Sequence, residues 1–129
     1  MDALLRSCAR QDIADLADSF YNFIDDGRVV ELSDSQDVSW NIEDGMNAKI
    51  TLAGNRSLSI SNPEAGCCFT LKVTQDQVGS RTLALPSNSK VVGGGLGVIP
   101  WSSNPGSIDL ISGYFDGTTY FWSYGLNFT

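Results

Sequence analysis

Hydrophobic and polar residues alternate in short runs through most of this chain. Val38, Trp40 and Ile42 alternate with polar neighbours. Ala48-Lys49-Ile50-Thr51-Leu52 does the same and stops at Gly54-Asn55. Leu58-Ser59-Ile60-Ser61 stops at Asn62-Pro63, and Cys68-Phe69-Thr70-Leu71-Lys72-Val73 follows Gly66. Arg81-Thr82-Leu83-Ala84-Leu85 runs up to Pro86. Period-two alternation broken by Gly, Asn and Pro marks half-buried strands. Near the end, Ile108 to Phe115 and Thr118 to Phe128 flank Asp116-Gly117, a strong hairpin signal. There Tyr120, Trp122 and Tyr124 share one face and Phe121 takes the other. Loading of both faces by aromatics suits either a sandwich or a subunit contact, and Tyr120, Trp122 and Tyr124 are the candidate interface residues, with the core of the chain as the alternative. The pattern predicts a mainly β chain: an antiparallel, jelly-roll-like β-sandwich of about seven or eight strands over residues 38–128.

The period changes in residues 2–26. Leu5, Ala9, Ile13, Leu16, Phe20 and Phe23 recur at spacings of three and four, one apolar stripe at helical period. Arg6, Arg10, Asp12, Asp15 and Asp18 fill the rest of the helix. Asp2 suits an N-cap and Gly27 a C′ position. The expected layout is therefore residues 1–39, an N-terminal amphipathic helix and acidic linker, followed by a β domain over 40–129. Leu5, Ile13, Leu16, Phe20 and Phe23 exceed what capping a small sandwich requires, so this segment is expected to attach the protein to a neighbour. The alternative is a helix that covers its own sheet.

Charge sharpens this division. Residues 1–44 hold eleven of the fifteen acids and three of the eight bases, while the rest is close to neutral. No basic stripe suited to nucleic acid is visible. No run approaches the ~20 apolar residues of a membrane span, and no secretory leader is apparent. The chain is thus expected to be soluble, made in a cytoplasm, and to bind neither nucleic acid nor membrane. With 42% hydrophobic residues, a packed core is expected.

Candidate chemistry is sparse. The chain has no histidine, which removes the commonest general base and zinc ligand. Cys67 and Cys68 are neighbours on a strand and point to opposite faces, so they are not expected to bridge each other; one of them pairs with Cys8 only if the helix end lies beside that strand, and buried thiols are the plainer reading of all three. The acids of 33–37 lack the EF-hand glycine and glutamate. Gly93-Gly94-Gly95-Leu96-Gly97 lacks the Lys-Ser or Lys-Thr and the helix of a phosphate loop, and Pro100 follows instead. Asp109 and Asp116 suit turn capping better than acid–base work. Trp101 and Trp122 are candidates for stacking on sugar rings, against a plainer role in packing. No metal, cofactor or catalytic group is expected.

One longer pattern points further. N-P-E-A-G-C-C-F-T-L-K-V-T-Q-D-Q-V-G-S-R-T-L-A-L-P, a Gly-rich stretch, then S-I-D-L-I-S-G-Y-F-D-G-T-T-Y-F-W-S-Y resembles a module of tailed-bacteriophage virion surface proteins. The resemblance spans roughly residues 40–129. It implies a β-sandwich, a non-enzymatic structural role and often a homotrimer, on the capsid surface or in a tail fibre. With the module filling most of the chain, a capsid decoration (cement) protein bound to the major capsid protein of the virion is expected ahead of a receptor-binding tail-fibre component. A carbohydrate-binding module is the third reading.

Overall fold

The structure is a computed structural model that describes residues 29–93 and 97–129. The helix expected over 2–26, with Leu5, Ile13, Leu16, Phe20 and Phe23, lies outside the described residues, as do Gly94, Gly95 and Leu96.

The described chain is mainly β. Its strands are β1 (Val30–Glu31), β2 (Asp37–Asn41), β3 (Asn47–Leu52), β4 (Arg56–Ser61), β5 (Cys67–Gln75), β6 (Leu83–Ala84), β7 (Ser89–Val91), β8 (Ile108–Phe115) and β9 (Tyr120–Phe128). They build a six-stranded sheet in the order β1-β3-β5-β8-β9-β7 and a three-stranded sheet in the order β2-β4-β6. Up to β6 the chain alternates between the two sheets, one strand in each. It therefore winds as a coil, and equivalent strands of successive turns lie side by side and parallel. Val30 pairs with Ala48, Asp37 with Ser57, Asn47 with Thr70 and Arg56 with Leu83. The circuits lengthen along the chain, from about 18 residues between Val30 and Ala48 to about 27 between Arg56 and Leu83, within the roughly 20–50-residue scale of solenoid repeats or close to it.

The expectation of an antiparallel, jelly-roll-like sandwich is corrected here. Only β5 with β8 and β8 with β9 pair antiparallel among the described strands. β7 joins β9 in parallel. The reason is physical. Gly45, Gly54-Asn55 and Asn62-Pro63 are breaks, and a break permits either a hairpin or a corner into a second sheet. Alternation reports which face is buried, not the direction of the neighbouring strand. The hairpin at Asp116-Gly117 is as expected: Phe115 pairs with Tyr120 across a four-residue loop.

The inward residues of both sheets meet in one core. Val38, Trp40, Leu58 and Leu83 from the smaller sheet pack with Ala48, Ile50, Leu52, Phe69, Leu71, Val73, Ile111, Tyr120 and Trp122 from the larger. Its centre is aromatic. Trp40 and Trp122 each meet Phe69 edge to face, with ring centroids 5.4 and 5.5 Å away. Gly113 makes room for them. A Cβ there would stand 2.6 Å from Phe69 Cε1 and 2.7 Å from Trp122 Cζ3. Trp40 Nε1 donates to Gly45 O at 3.0 Å, and Trp122 Nε1 to Ser89 Oγ at 2.9 Å, so both buried indoles are satisfied.

Polar pairs join successive turns of the coil on its outside. Arg56 Nε and Nη2 donate to the two carboxylate oxygens of Asp34 at 2.9 and 2.8 Å. Asn62 Nδ2 donates to Asn41 Oδ1, and Ser59 Oγ to Asp37 Oδ1. Lys49 sits 3.6 Å from its register partner Glu31.

Candidate functional site

Gln75 ends β5 and is 3% exposed. Its amide closes a two-point lock on the backbone of Arg81: Oε1 accepts from Arg81 N at 2.8 Å and Nε2 donates to Arg81 O at 2.9 Å. Asp76 follows. Its Oδ1 accepts from the backbone N–H groups of Val78 and Gly79, and both oxygens receive the Arg81 guanidinium. That guanidinium, then the Gly79 N–H, holds the Asp76 carboxyl down at about 2. Gly79 has φ 81° and Ser80 φ 59°, so the turn bends through the left-handed region twice. Val78-Gly79-Ser80 is thus a corner pinned by Gln75, Asp76 and Arg81.

Asp109, the second residue of β8, does similar work on the loop that precedes the strand. Its side chain is 1% exposed and accepts three hydrogen bonds. Ser102 N donates to Oδ2 at 2.9 Å, Ser102 Oγ to Oδ1 at 2.7 Å and Asn127 N to Oδ1 at 2.9 Å. It ties the 97–107 loop to the end of β9, beside a register shift between Ile108 and Leu110. Asp116 caps the last hairpin, accepting from the N–H groups of Thr118 and Thr119, which lower its pKa. Asp109 and Asp116 stand at opposite ends of β8, about 23 Å apart by strand rise, so they do not form a carboxylate pair.

The aromatic candidates are distributed differently from the expectation. Tyr120 and Trp122 are 5% and 2% exposed and belong to the core of this chain, not to a face offered to another copy. Tyr124 is half-buried against the same core. The cause is that β9 lies inside the larger sheet, between β8 and β7, with its alternate residues turned toward the smaller sheet. Burial raises the Tyr120 pKa. Trp101 is half-buried, and its Nε1 donates to Leu83 O at 3.2 Å, closing the edge of β6. Trp122 is too deeply buried to present a ring to a sugar. Cys67 is buried as expected, whereas Cys68 is exposed.

Two surfaces remain. A shallow cleft of about 270 Å³ lies on the first turn of the coil, lined by residues that include Glu31, Ser35, Asp37, Ser39, Asn41 and Asp44. It is polar and acidic. The second is the outer face of the six-stranded sheet. Register places Tyr114 beside Phe121, with ring centroids 6.4 Å apart, and Leu110 beside Gly125. The Phe128 ring lies over Gly125, where a Cβ would come within 3.0 Å of it. Lys72 is the β5 partner of Leu110, and Lys90 the β7 partner of Phe121. The sequence pattern hid this set, because strand order brings it together and spacing does not. Outward positions of β5 and β8 were readable, but not that those strands are neighbours.

Among the described residues, no group of three or more His, Cys, Asp or Glu side chains is placed to hold a metal ion. No family model, no curated protein and no solved structure matches this chain.

Proposed function

We propose that this chain is a non-enzymatic structural protein of a tailed-phage virion, a capsid decoration protein that binds the outer shell, stabilises it and acts as a homotrimer. The observation that carries this reading is how the polar residues of the resembling stretch are used. In Q-D-Q-V-G-S-R, Gln75, Asp76 and Arg81 bond to one another and to the turn between them. In S-I-D-L-I-S-G-Y-F-D-G, Asp109 fastens a loop and Asp116 caps a hairpin. Groups committed to internal hydrogen bonds are held in place by the fold and are poorly placed to hold or transform a substrate. Such a motif specifies a shape. A compact two-sheet β-sandwich locked at its corners suits a part that must persist on the outside of a particle.

Co-sedimentation tests this reading. The purified chain is mixed with expanded, DNA-free phage heads prepared from the lysate that contains it. Saturable pelleting with the heads, in multiples of three copies per site, is the expected result. Chain left in the supernatant at every concentration would overturn the decoration role, and pelleting with isolated tails instead would favour the tail-fibre reading.

A further inference from the structure

The two sheets use their outward polar side chains differently. Along the smaller sheet they bond to one another, Ser59 to Asp37 and Asn62 to Asn41. Across the larger sheet, register sets three rows. The first is Cys68, Tyr114, Phe121 and Lys90, on β5, β8, β9 and β7. The second is Asn47, Thr70, Ser112 and Ser123, on β3, β5, β8 and β9. In the third, Lys72 stands beside Leu110. Tyr114 and Phe121 are 45 and 41% exposed. Asn47, Ser112 and Ser123 are exposed as well. No side chain of the second row has a hydrogen-bond partner among the described residues. Neither Lys72 nor Lys90 meets a carboxylate among them.

We propose that this lysine-rimmed patch binds an acidic polysaccharide, a sugar chain that carries carboxylates. Each row matches one part of such a chain. A sugar ring has an apolar C–H face that lies against aromatic rings, and Tyr114 and Phe121 stand side by side with centroids 6.4 Å apart. Sugar hydroxyls need partners that both donate and accept, which the hydroxyls of Thr70, Ser112 and Ser123 and the amide of Asn47 supply. Carboxylates need compact cations on stems that reach them, and Lys72 and Lys90 lie on opposite sides of the hydroxyl row. Adjacent rows are about 7 Å apart along the strands and the second row spans about 14 Å across them, so one extended ligand meets all three. Shape agrees with this, because small molecules are held in concave pockets, whereas an open sheet face suits a polymer lying on it. Other occupants fit less well. The second row separates Tyr114 and Phe121 from Leu110, so the face lacks the continuous apolar centre of a protein interface. Nucleic acid is charged at every nucleotide, which two lysines on a chain of net charge −7 do not neutralise. A sugar chain with carboxylates on only some of its units needs no more than these two, and screening beyond about 8 Å keeps the distant acids from deciding the contact.

Affinity electrophoresis of the full chain in gels containing hyaluronate or alginate tests the binding face. The expected result is retardation by at least one of the two polymers, weakened by salt and several-fold weaker with the same polymer after reduction of its carboxylates. Tyr114→Ser with Phe121→Ser should raise the dissociation constant about tenfold. Lys72→Gln with Lys90→Gln should raise it several-fold for the acidic polymer and leave the carboxyl-reduced one unchanged. Should the aromatic variant fail to fold by circular dichroism, the lysine pair, which is exposed, carries the test. Absence of retardation by both polymers would overturn the proposal, as would equal retardation of wild type and folded variants. Equal binding of the carboxyl-reduced polymer would overturn the acidic assignment, and oligo-dT bound more tightly than either polysaccharide would assign the face to nucleic acid instead.

Discussion

Replacing Trp122 with Ala separates a core position from an interface position. Trp122 is 2% exposed. Its ring meets Phe69 edge to face at 5.5 Å and lies nearly parallel to Tyr120 at 6.1 Å, with an interplanar angle of 24°. Truncating a buried Trp costs about 3–5 kcal/mol, the spread depending on how far the site collapses. Collapse is hindered here. β9 is held on both sides by β8 and β7, and the facing residue, Gly113, has no side chain to move into the space. The hydrogen bond to Ser89 Oγ is lost as well, worth about 1 kcal/mol. The upper half of the range follows, ~4–5 kcal/mol, a large share of the ~5–15 kcal/mol that holds a typical domain. At roughly 3–4 °C per kcal/mol for a chain of this size, Tm should fall by more than ~10 °C. Thermal and urea unfolding followed by circular dichroism would read the loss. Sedimentation velocity on the same samples would read association, which should match the wild type wherever the variant is folded. An unchanged Tm combined with loss of an oligomer would refute the core placement and return Trp122 to a subunit contact.

Three other perturbations follow from the same geometry. Gly113→Ala drives a methyl against Phe69 and Trp122 and should destabilise by ~1–3 kcal/mol; in a double-mutant cycle the cost of Gly113→Ala together with Trp122→Ala should fall short of the sum of the two single costs, and strict additivity would contradict the contact. Asp109→Asn puts an amide donor where the carboxylate accepts from Ser102 and Asn127, and should cost ~1–3 kcal/mol in urea unfolding; a neutral outcome would mean that the site rearranges. Asp76 is held at about 2, with Asp34 also lowered by its bond to Arg56 and Asp116 by backbone N–H groups, so their contribution is present above the unfolded carboxylate pKa near ~4 and is lost as pH falls toward about 2. Urea midpoints measured across that window should fall for the wild type and fall less for Arg81→Ala; parallel slopes would contradict the assignment to this pair.

Strand positions were legible because burial sets them. Val38, Trp40 and Ile42 are on the inner face as their alternation requires, and Asp116-Gly117 turns where its chemistry demands. Strand direction was not legible. The same Gly-Asn and Asn-Pro breaks that close a hairpin also let a chain turn a corner, and only the register between distant segments tells them apart. The coil escaped detection for a related reason. Ala48 answers Val30, whereas Thr70 answers Asn47, so the circuits differ in length and leave no fixed period. The aromatic triad of β9 misled because Phe121 on the opposite face made both sides look covered. Tyr120 and Trp122 point into the core, and it is Phe121 that is exposed. The lysine-rimmed patch arises from four strands, β5, β8, β9 and β7, of which β7 is three residues long and gives little alternation to read.

Immunogold electron microscopy tests the central proposal most directly. Antibody raised against the purified chain is applied to intact phage particles banded from the lysate that contains it. Gold spread over the head and displaced by excess purified chain is the expected result. Gold restricted to the tail, or particles that stay bare while the chain remains in the soluble fraction, would contradict it.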